Sequence, residues 1–305
     1  MAVIEAHELT RKFGKNVALE NLDLEVAEGE VLGFLGPNGA GKTTTIRLLS
    51  GIIAPTFGYA MVAGWRADKD PEPLHEVIGL LTETPGFYNY LSARRNLEYF
   101  AGFYHAINIP HQTEKYLKMM GLWERRESKV GTFSKGMKQR LSLVRALLHE
   151  PKVLFLDEPT AGLDPEAAHE VRGLIKTLGE EGRTIFLSTH NLTEAELLCH
   201  RIAIIRTELL ALDTPHNLRQ RLLRREVAVQ LESLPTQIME MVGQLPFVEQ
   251  ARQDGNRLMV VLKDTESNRP ELVQCIVEAG GRVMAVTEDQ PSLEEIYLSL
   301  VREKP

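Results

Sequence analysis

The residues best suited to chemistry are Gly36-Pro37-Asn38-Gly39-Ala40-Gly41-Lys42-Thr43-Thr44, which carry the spacing G-x-x-x-x-G-K-[ST]. An apolar run, Val31-Leu32-Gly33-Phe34-Leu35, precedes them and Thr45-Ile46-Arg47-Leu48-Leu49 follows. The pattern predicts strand, loop and helix in the order a phosphate-binding loop requires. Glycines let backbone N–H groups close around an anion without Cβ clashes, and a helix N-terminus adds partial positive charge. Lys42 can reach the β- and γ-phosphates of a nucleotide, and the Thr43 hydroxyl can ligate Mg²⁺. An ordinary glycine-rich turn would not need Lys42-Thr43 after its last glycine.

The elements that must position this loop are read from the rest of the chain. With 305 residues, 43% hydrophobic and 25% charged, the prior is one large or two ordinary globular domains with a proper core. The net charge of −7 argues against a general nucleic-acid binder. Residues 226–305 hold seven basic and fourteen acidic side chains, which leaves 28 of each sign before them. A neutral first part and an acidic last part point to two domains. Cys199 and Cys275 read as buried free thiols in a reducing compartment. The first eight residues are too charged for a signal peptide, and no apolar run approaches the ~18 residues needed to span a bilayer.

Residues 2–9 and 21–26 alternate like strands, and 58–63 and 77–82 read as further short ones. Helices are expected over 93–105 from an N-cap at Ser92, over 111–120, over 134–149 and from Pro165 to about 182. Apolar strands at 153–156 and 184–188 lie between them. This alternation predicts an α/β fold with a mainly parallel sheet covered on both faces. An Arg-rich connector at 218–225 leads to strands at 226–231, 247–252, 257–262 and 282–286, with helices at 236–245, 271–279 and 292–301. That order, βαββαβ plus a helix, predicts a small ferredoxin-like α+β domain.

Four further stretches narrow the chemistry. They are Phe133-Ser134-Lys135-Gly136-Met137-Lys138-Gln139-Arg140, then Val153-Leu154-Phe155-Leu156-Asp157-Glu158-Pro159-Thr160, then Ala161-Gly162-Leu163-Asp164, then Ser188-Thr189-His190. In this order and spacing they resemble the signature motif, Walker B, D-loop and switch histidine of an ATP-binding-cassette (ABC) ATPase. The resemblance covers residues 2 to about 220. The C-terminal part is similar to the extra domain on ATPase subunits of drug-, polysaccharide- and sodium-efflux exporters, through domain order and Pro291-Ser292-Leu293-Glu294-Glu295-Ile296-Tyr297. The implied organisation is a nucleotide-binding domain at 1–220, its helical subdomain about 84–150, and an accessory α+β domain at 226–305.

Asp157 ends a buried strand, where an unpaired carboxylate is costly, and Mg²⁺ beside a triphosphate would resolve that cost. Glu158, one residue on, could orient the attacking water as general base, and His190 would sense the γ-phosphate. A lone histidine ending a strand is usually structural, so its role rests on the resemblance. Ser134 and Gly136 at a helix N-terminus make a second anion site, though Ser134 alone is also an ordinary N-cap. In the resembled family two cassettes dimerise head-to-tail and each signature closes on the partner's ATP, with Asp164 at the seam. Phe13 falls where the family stacks an aromatic ring on adenine, and a buried strand-end phenylalanine is the competing reading.

Three departures stand out. Lys135 and Met137 replace the second glycine and the glutamine of the commonest signature. Glu83 falls where the family has a Mg²⁺-contacting glutamine; a carboxylate can also bind Mg²⁺. The resemblance implies an ATP- and Mg²⁺-dependent subunit, a homodimer or heterodimer of cassettes, peripheral on the cytoplasmic face of the membrane through a separate transmembrane permease. No nucleic-acid partner is expected. The aromatic stretch 83–97, with Phe87, Tyr88 and Tyr90, is where such a permease would dock; ordinary surface-loop packing is the alternative. Two rival functions are a non-transport ABC ATPase acting on ribosomes or DNA and a regulatory module that holds nucleotide without turnover. One cassette, no heptad run and no basic excess speak against the first, and Glu158 and His190 against the second.

Overall fold

The computed structural model describes residues 2–82, 86–105, 108–222 and 226–289. The chain forms two compact units, Met1–Pro215 and His216–Pro305.

In the first unit β1 (Ala2–Phe13) and β2 (Asn16–Ala27) form an antiparallel hairpin. They run longer than the alternation predicts, and Gly14, at φ 59°, turns the chain. β3 (Val31–Leu35) leads through the phosphate loop into α1 (Lys42–Leu49). β4 (Phe57–Val62) and β5 (Trp65–Arg66) complete an antiparallel sheet of order β2-β1-β4-β5. This antiparallel sheet stands in addition to the mainly parallel one that the alternation predicts. A turn as short as Gly14-Lys15 can only return the chain antiparallel, because parallel neighbours need a crossover of a dozen residues or more.

The second sheet has the expected character. α2 (Pro71–Val77) precedes β6 (Ile78–Leu81), and α3 (Ala93–Ala101), α4 (Ile109–Met119) and α5 (Lys135–Leu147) precede β7 (Val153–Asp157). α6 (Pro165–Glu180), β8 (Thr184–Thr189), α7 (Leu192–Leu198), β9 (Arg201–Arg206) and β10 (Glu208–Asp213) follow. The order is β10-β9-β3-β8-β7-β6, parallel throughout except for antiparallel β10 at one edge. Every residue of β3, β7 and β8 is buried, as strands covered on both faces require. Phe34, Phe155 and Phe186 meet in the core, with Phe186 centroids 5.0 and 5.7 Å from the other two, and Ile46 and Leu48 of α1 pack in the same cluster. Burying each of these rings contributes roughly 1.5–3 kcal/mol.

Caps set the helix starts. Ser92 Oγ accepts from the Arg95 N–H at 3.2 Å, and Asn108 Oδ1 from His111 at 3.2 Å. α3 stops at Ala101, short of the expected 105, and α5 stops at Leu147, before Glu150 takes a left-handed φ of 51°. Both cysteines are free; Cys199 is buried, whereas Cys275 is only half-buried.

The second unit opens with α8 (Pro215–Leu222) and continues as β11 (Glu226–Leu231), α9 (Thr236–Gly243), β12 (Val248–Asp254), β13 (Arg257–Leu262), α10 (Thr265–Glu278) and β14 (Val283–Asp289). The sheet order β12-β13-β11-β14, all antiparallel, is the ferredoxin-like arrangement. Val227, Val229, Leu258 and Val260 share a core with Ile238 and Val242 of α9 and Leu272 and Ile276 of α10. The expected closing helix at 292–301 and the 291–297 stretch lie outside the described residues. Among those described, no helix is long and apolar enough to cross a membrane.

Candidate nucleotide site

The phosphate loop needs its glycines for steric reasons the structure makes specific. A Cβ on Gly36 would stand 2.6 Å from the Ile205 carbonyl oxygen, and one on Gly41 would stand 2.3 Å from that of Ala18. Gly41 also has φ 98°, so even alanine is excluded there. From Gly41 the chain enters α1, whose first turn contains no acidic residue and no side-chain cap. Its N-terminal dipole therefore faces the loop uncompensated, the arrangement that favours a bound anion. Lys42 is buried; its ammonium donates to the Gly36 carbonyl at 2.8 Å and the Pro37 carbonyl at 3.2 Å.

The carboxylates come from the end of β7. Asp157 is 3% exposed, and its Oδ1 accepts from the Ser188 hydroxyl of β8 at 2.6 Å. Part of the burial cost that the sequence suggests is thus met by a neighbouring strand. Glu158 adopts φ 51°, a conformation costing of order 1–2 kcal/mol in an L-residue. Its N–H donates to both the carbonyl and the hydroxyl of Ser188, each at 3.1 Å. Its carboxylate lies between two positive groups or donors: Oε1 is 3.1 Å from Lys42 Nζ, and Oε2 is 2.5 Å from His190 Nδ1. The parallel register of β7 with β8, Asp157 opposite Ser188, brings Glu158 and His190 together.

Lys42, Glu158 and His190 line a cleft of about 530 Å³ with Asn38, Gly39, Thr43 and Thr44, whereas Asp157 is not part of its lining. Its far wall is the β1–β2 hairpin, through Phe13, Asn16, Val17 and Ala18. Phe13 is 47% exposed, not a buried strand-end ring, and Arg11 stacks on it at 4.5 Å from the centroid. The hairpin's Asn16–Ala18 contribution and Ser188's hydroxyl are what sequence reasoning missed. The first depends on a fold contact with Gly41, the second on strand register.

The signature residues do not line this cleft. Ser134 caps α5, its Oγ accepting from the Met137 N–H at 3.2 Å, and Asp164 caps α6, accepting from the Ala167 N–H at 2.9 Å. Gly136 lets the two helix starts touch, since a Cβ there would meet Ala167 Cβ at 2.8 Å. Lys135 is exposed, and its ammonium covers Gly162, where a Cβ would stand 2.2 Å away. Glu83 lies outside the described residues. Among the described residues no three His, Cys, Asp or Glu side chains could hold a metal ion by themselves. The hard oxygens of Thr43 and Asp157 suit Mg²⁺ shared with phosphate, since that ion commonly takes one or two protein ligands.

A second cavity of about 530 Å³ is lined by Ile52, His75, Leu80, Phe100, Tyr104 and Arg145, among others. Arg145 spans Phe87 and Phe100, 5.1 and 4.9 Å from their centroids, and burial holds its pKa below the usual arginine value. Phe87 is thus a packing residue, whereas Tyr90 and Phe103 are 69% and 66% exposed.

Comparison with known proteins places this geometry. The family profile "ABC transporter" matches residues 19–161, and "ATP-binding protein DrrA1-3-like, C-terminal domain" matches 214–301. The bacitracin transport ATP-binding protein BcrA of Bacillus licheniformis is 36% identical over 301 residues, covering 98% of this chain and 97% of its own. The fluoroquinolones export ATP-binding protein of Mycobacterium tuberculosis is 39% identical over 235 residues, 75% of this chain and 76% of its own. A dimeric ATP-binding cassette solved in a post-hydrolysis state with ADP and Pi superposes with a TM-score of 0.63 at 25% identity, covering 69% of this chain and 98% of that one. Fold and site define a P-loop ATPase cassette. The chain belongs to the ABC transporter ATPases and is a subunit that binds and hydrolyses ATP.

Proposed function

We propose that the chain drives export through a separate membrane permease, by ATP-dependent head-to-tail closure of two cassettes on the cytoplasmic face. The observation that carries this reading is Glu158, held between Lys42 and His190 at the cleft. In this reading the loop N–H groups and Lys42 bind the β- and γ-phosphates, and Phe13 stacks on adenine. Thr43 and Asp157 would hold Mg²⁺, which neutralises phosphate charge when bound. Glu158 takes a proton from the attacking water, and His190 contacts the γ-phosphate. Ser134, Lys135, Gly136 and Met137 serve the partner's nucleotide, with Asp164 at the seam; the partner is a second copy or a related cassette. The groove beside Phe100 and Tyr104, with exposed Phe103 in its wall, is the surface offered to the permease, together with Tyr88 and Tyr90, whose rings lie 6.0 Å apart. The transport and export named for the two relatives support this direction.

Glu158→Gln tests it. The amide keeps the shape and the contact with Lys42 but cannot take a proton, so hydrolysis falls by about 100-fold or more while closure remains. Size-exclusion chromatography with ATP then shows a stable dimer. A monomer under all conditions, with unchanged turnover, overturns both the base and the dimer.

A further inference from the structure

Glu194, in the first turn of the short helix α7, would be expected at the surface. It is 1% exposed instead, and the buried acids among the described residues are Asp157 and Glu194. Its Oε1 accepts from the Thr160 hydroxyl at 2.8 Å and its Oε2 from the Thr189 hydroxyl at 2.6 Å. Thr189 also accepts from the Asn191 N–H at 3.0 Å, and Asn191 Oδ1 in turn accepts from the Glu194 N–H at 3.2 Å. The helix is anchored below by Ala195 and Cys199, which approach β3 so closely that a Cβ on Gly33 would meet Cys199 Sγ at 2.8 Å.

Thr160 lies two residues after Glu158, and Thr189 immediately precedes His190. One buried carboxylate therefore joins the loop leaving the first to the strand end bearing the second. Glu158 needs such restraint, because its left-handed φ of 51° costs an L-residue roughly 1–2 kcal/mol relative to the right-handed region. Ser188 holds its N–H side, and Thr160–Glu194 holds the other. Keeping a carboxylate buried is costly. Burial raises the Glu194 carboxyl, the like charge of Glu158 adds to this, and the two hydroxyls and Arg172 of α6 oppose it. A hydrophobic side chain would avoid that cost but would leave the Thr160 and Thr189 hydroxyls without the acceptor they share.

We infer that Glu194 is a positioning residue for ATP hydrolysis, clamping the Thr160 loop to Thr189 so that Glu158 and His190 stay in register. This rests on the roles given to Glu158 and His190 above.

The test uses the purified full chain and reads basal turnover and ATP affinity separately. Glu194→Ala lowers kcat by about 10-fold or more, as misplacement of a reacting group does, with ATP affinity retained. Glu194→Gln recovers most of that turnover, because the amide keeps an acceptor for one hydroxyl and can donate to the other. In a Glu158→Gln background Glu194→Ala adds little, because the group it positions is already disabled. Should the alanine variant not fold, Thr160→Val cuts the same link without a cavity and lowers kcat in the same way, and Thr160→Ser recovers it. Full turnover in Glu194→Ala or Thr160→Val overturns the positioning role, as does a loss that multiplies independently with Glu158→Gln. Unchanged turnover in Glu158→Gln alone overturns the base assignment, and the positioning role with it.

Discussion

Lys42 serves the loop and the site together. Its ammonium ties two loop carbonyls in place and stands 3.1 Å from Glu158, so it shapes the cradle while supplying its cation. Lys42→Ala should weaken ATP binding by about 10- to 100-fold, the equivalent of one or two charge-assisted hydrogen bonds. Nucleotide titration of the variant at wild-type affinity would mean that the phosphate loop is misread. At this scale the sequence was informative where chemistry is local. The glycines, Lys42 and Thr43 are contiguous, and Asp157-Glu158 ends an apolar run. It was silent on Glu194 because that residue's partners, Thr160 in the loop after β7 and Thr189 at the end of β8, are far from each other in sequence. A glutamate on a short helix carries no signal that it is buried.

Glu150 shows how elements are joined around the site. It follows α5 at a left-handed φ, and its carboxylate receives Lys115 of α4 at 2.6 Å and Arg183, which leads into β8. Arg183 also donates to the Pro151 carbonyl at 3.1 Å and the Tyr116 hydroxyl at 3.0 Å. One acid thus ties the helices α4 and α5 to the strand that carries Ser188. Burial works against its ionisation, but hydrogen bonds from Lys115, Arg183 and Tyr116 prevail and push its pKa down to about 2. A carboxyl depressed in the folded state stabilises it above the unfolded value of about 4.5, and that contribution is lost as pH falls from there toward 2. Glu150→Gln should therefore lower the melting temperature near neutral pH, and the two melting curves should converge on acidification. A constant gap across that range would mean that the carboxylate's charge contributes nothing. Elements were legible where a pattern is regular, as in β3, β7 and β8. The β9–β10 pair was not read at all: β10 is half-buried along its whole length, so it lacks alternation, and the turn between them is a single Thr207 at φ 62°, without glycine or proline.

On the scale of the molecule, two cores divide the work. The first holds Phe34, Phe155, Ile46 and the sheets around the cleft. The second holds Val229, Val260 and Leu272, and none of the nucleotide motifs lies in its unit. Charge does not mark this division: the second unit starts at His216 and also holds Arg219, Arg221, Arg224 and Arg225, so its eleven basic and fourteen acidic side chains leave it at −3, and the run with net −7 begins ten residues later, at Glu226. The sequence signalled it through the change from helix-spaced strands to a hairpin. We therefore expect residues 216–305, the second unit, to be dispensable for nucleotide binding. Each unit buries its own apolar face, so removing the second should leave the hydrophobic contribution of the first intact. The truncated chain should melt in one cooperative transition and bind ATP within about three-fold of the full chain, a difference below ~1 kcal/mol. Calorimetry and nucleotide titration on the two chains measure both. Aggregation of the truncated chain, or loss of ATP binding, would mean that the units complete one another's cores. If binding persists but ATP-driven dimerisation is lost, the acidic domain's place is at the assembly, where a net negative surface on each copy tunes association through its salt dependence.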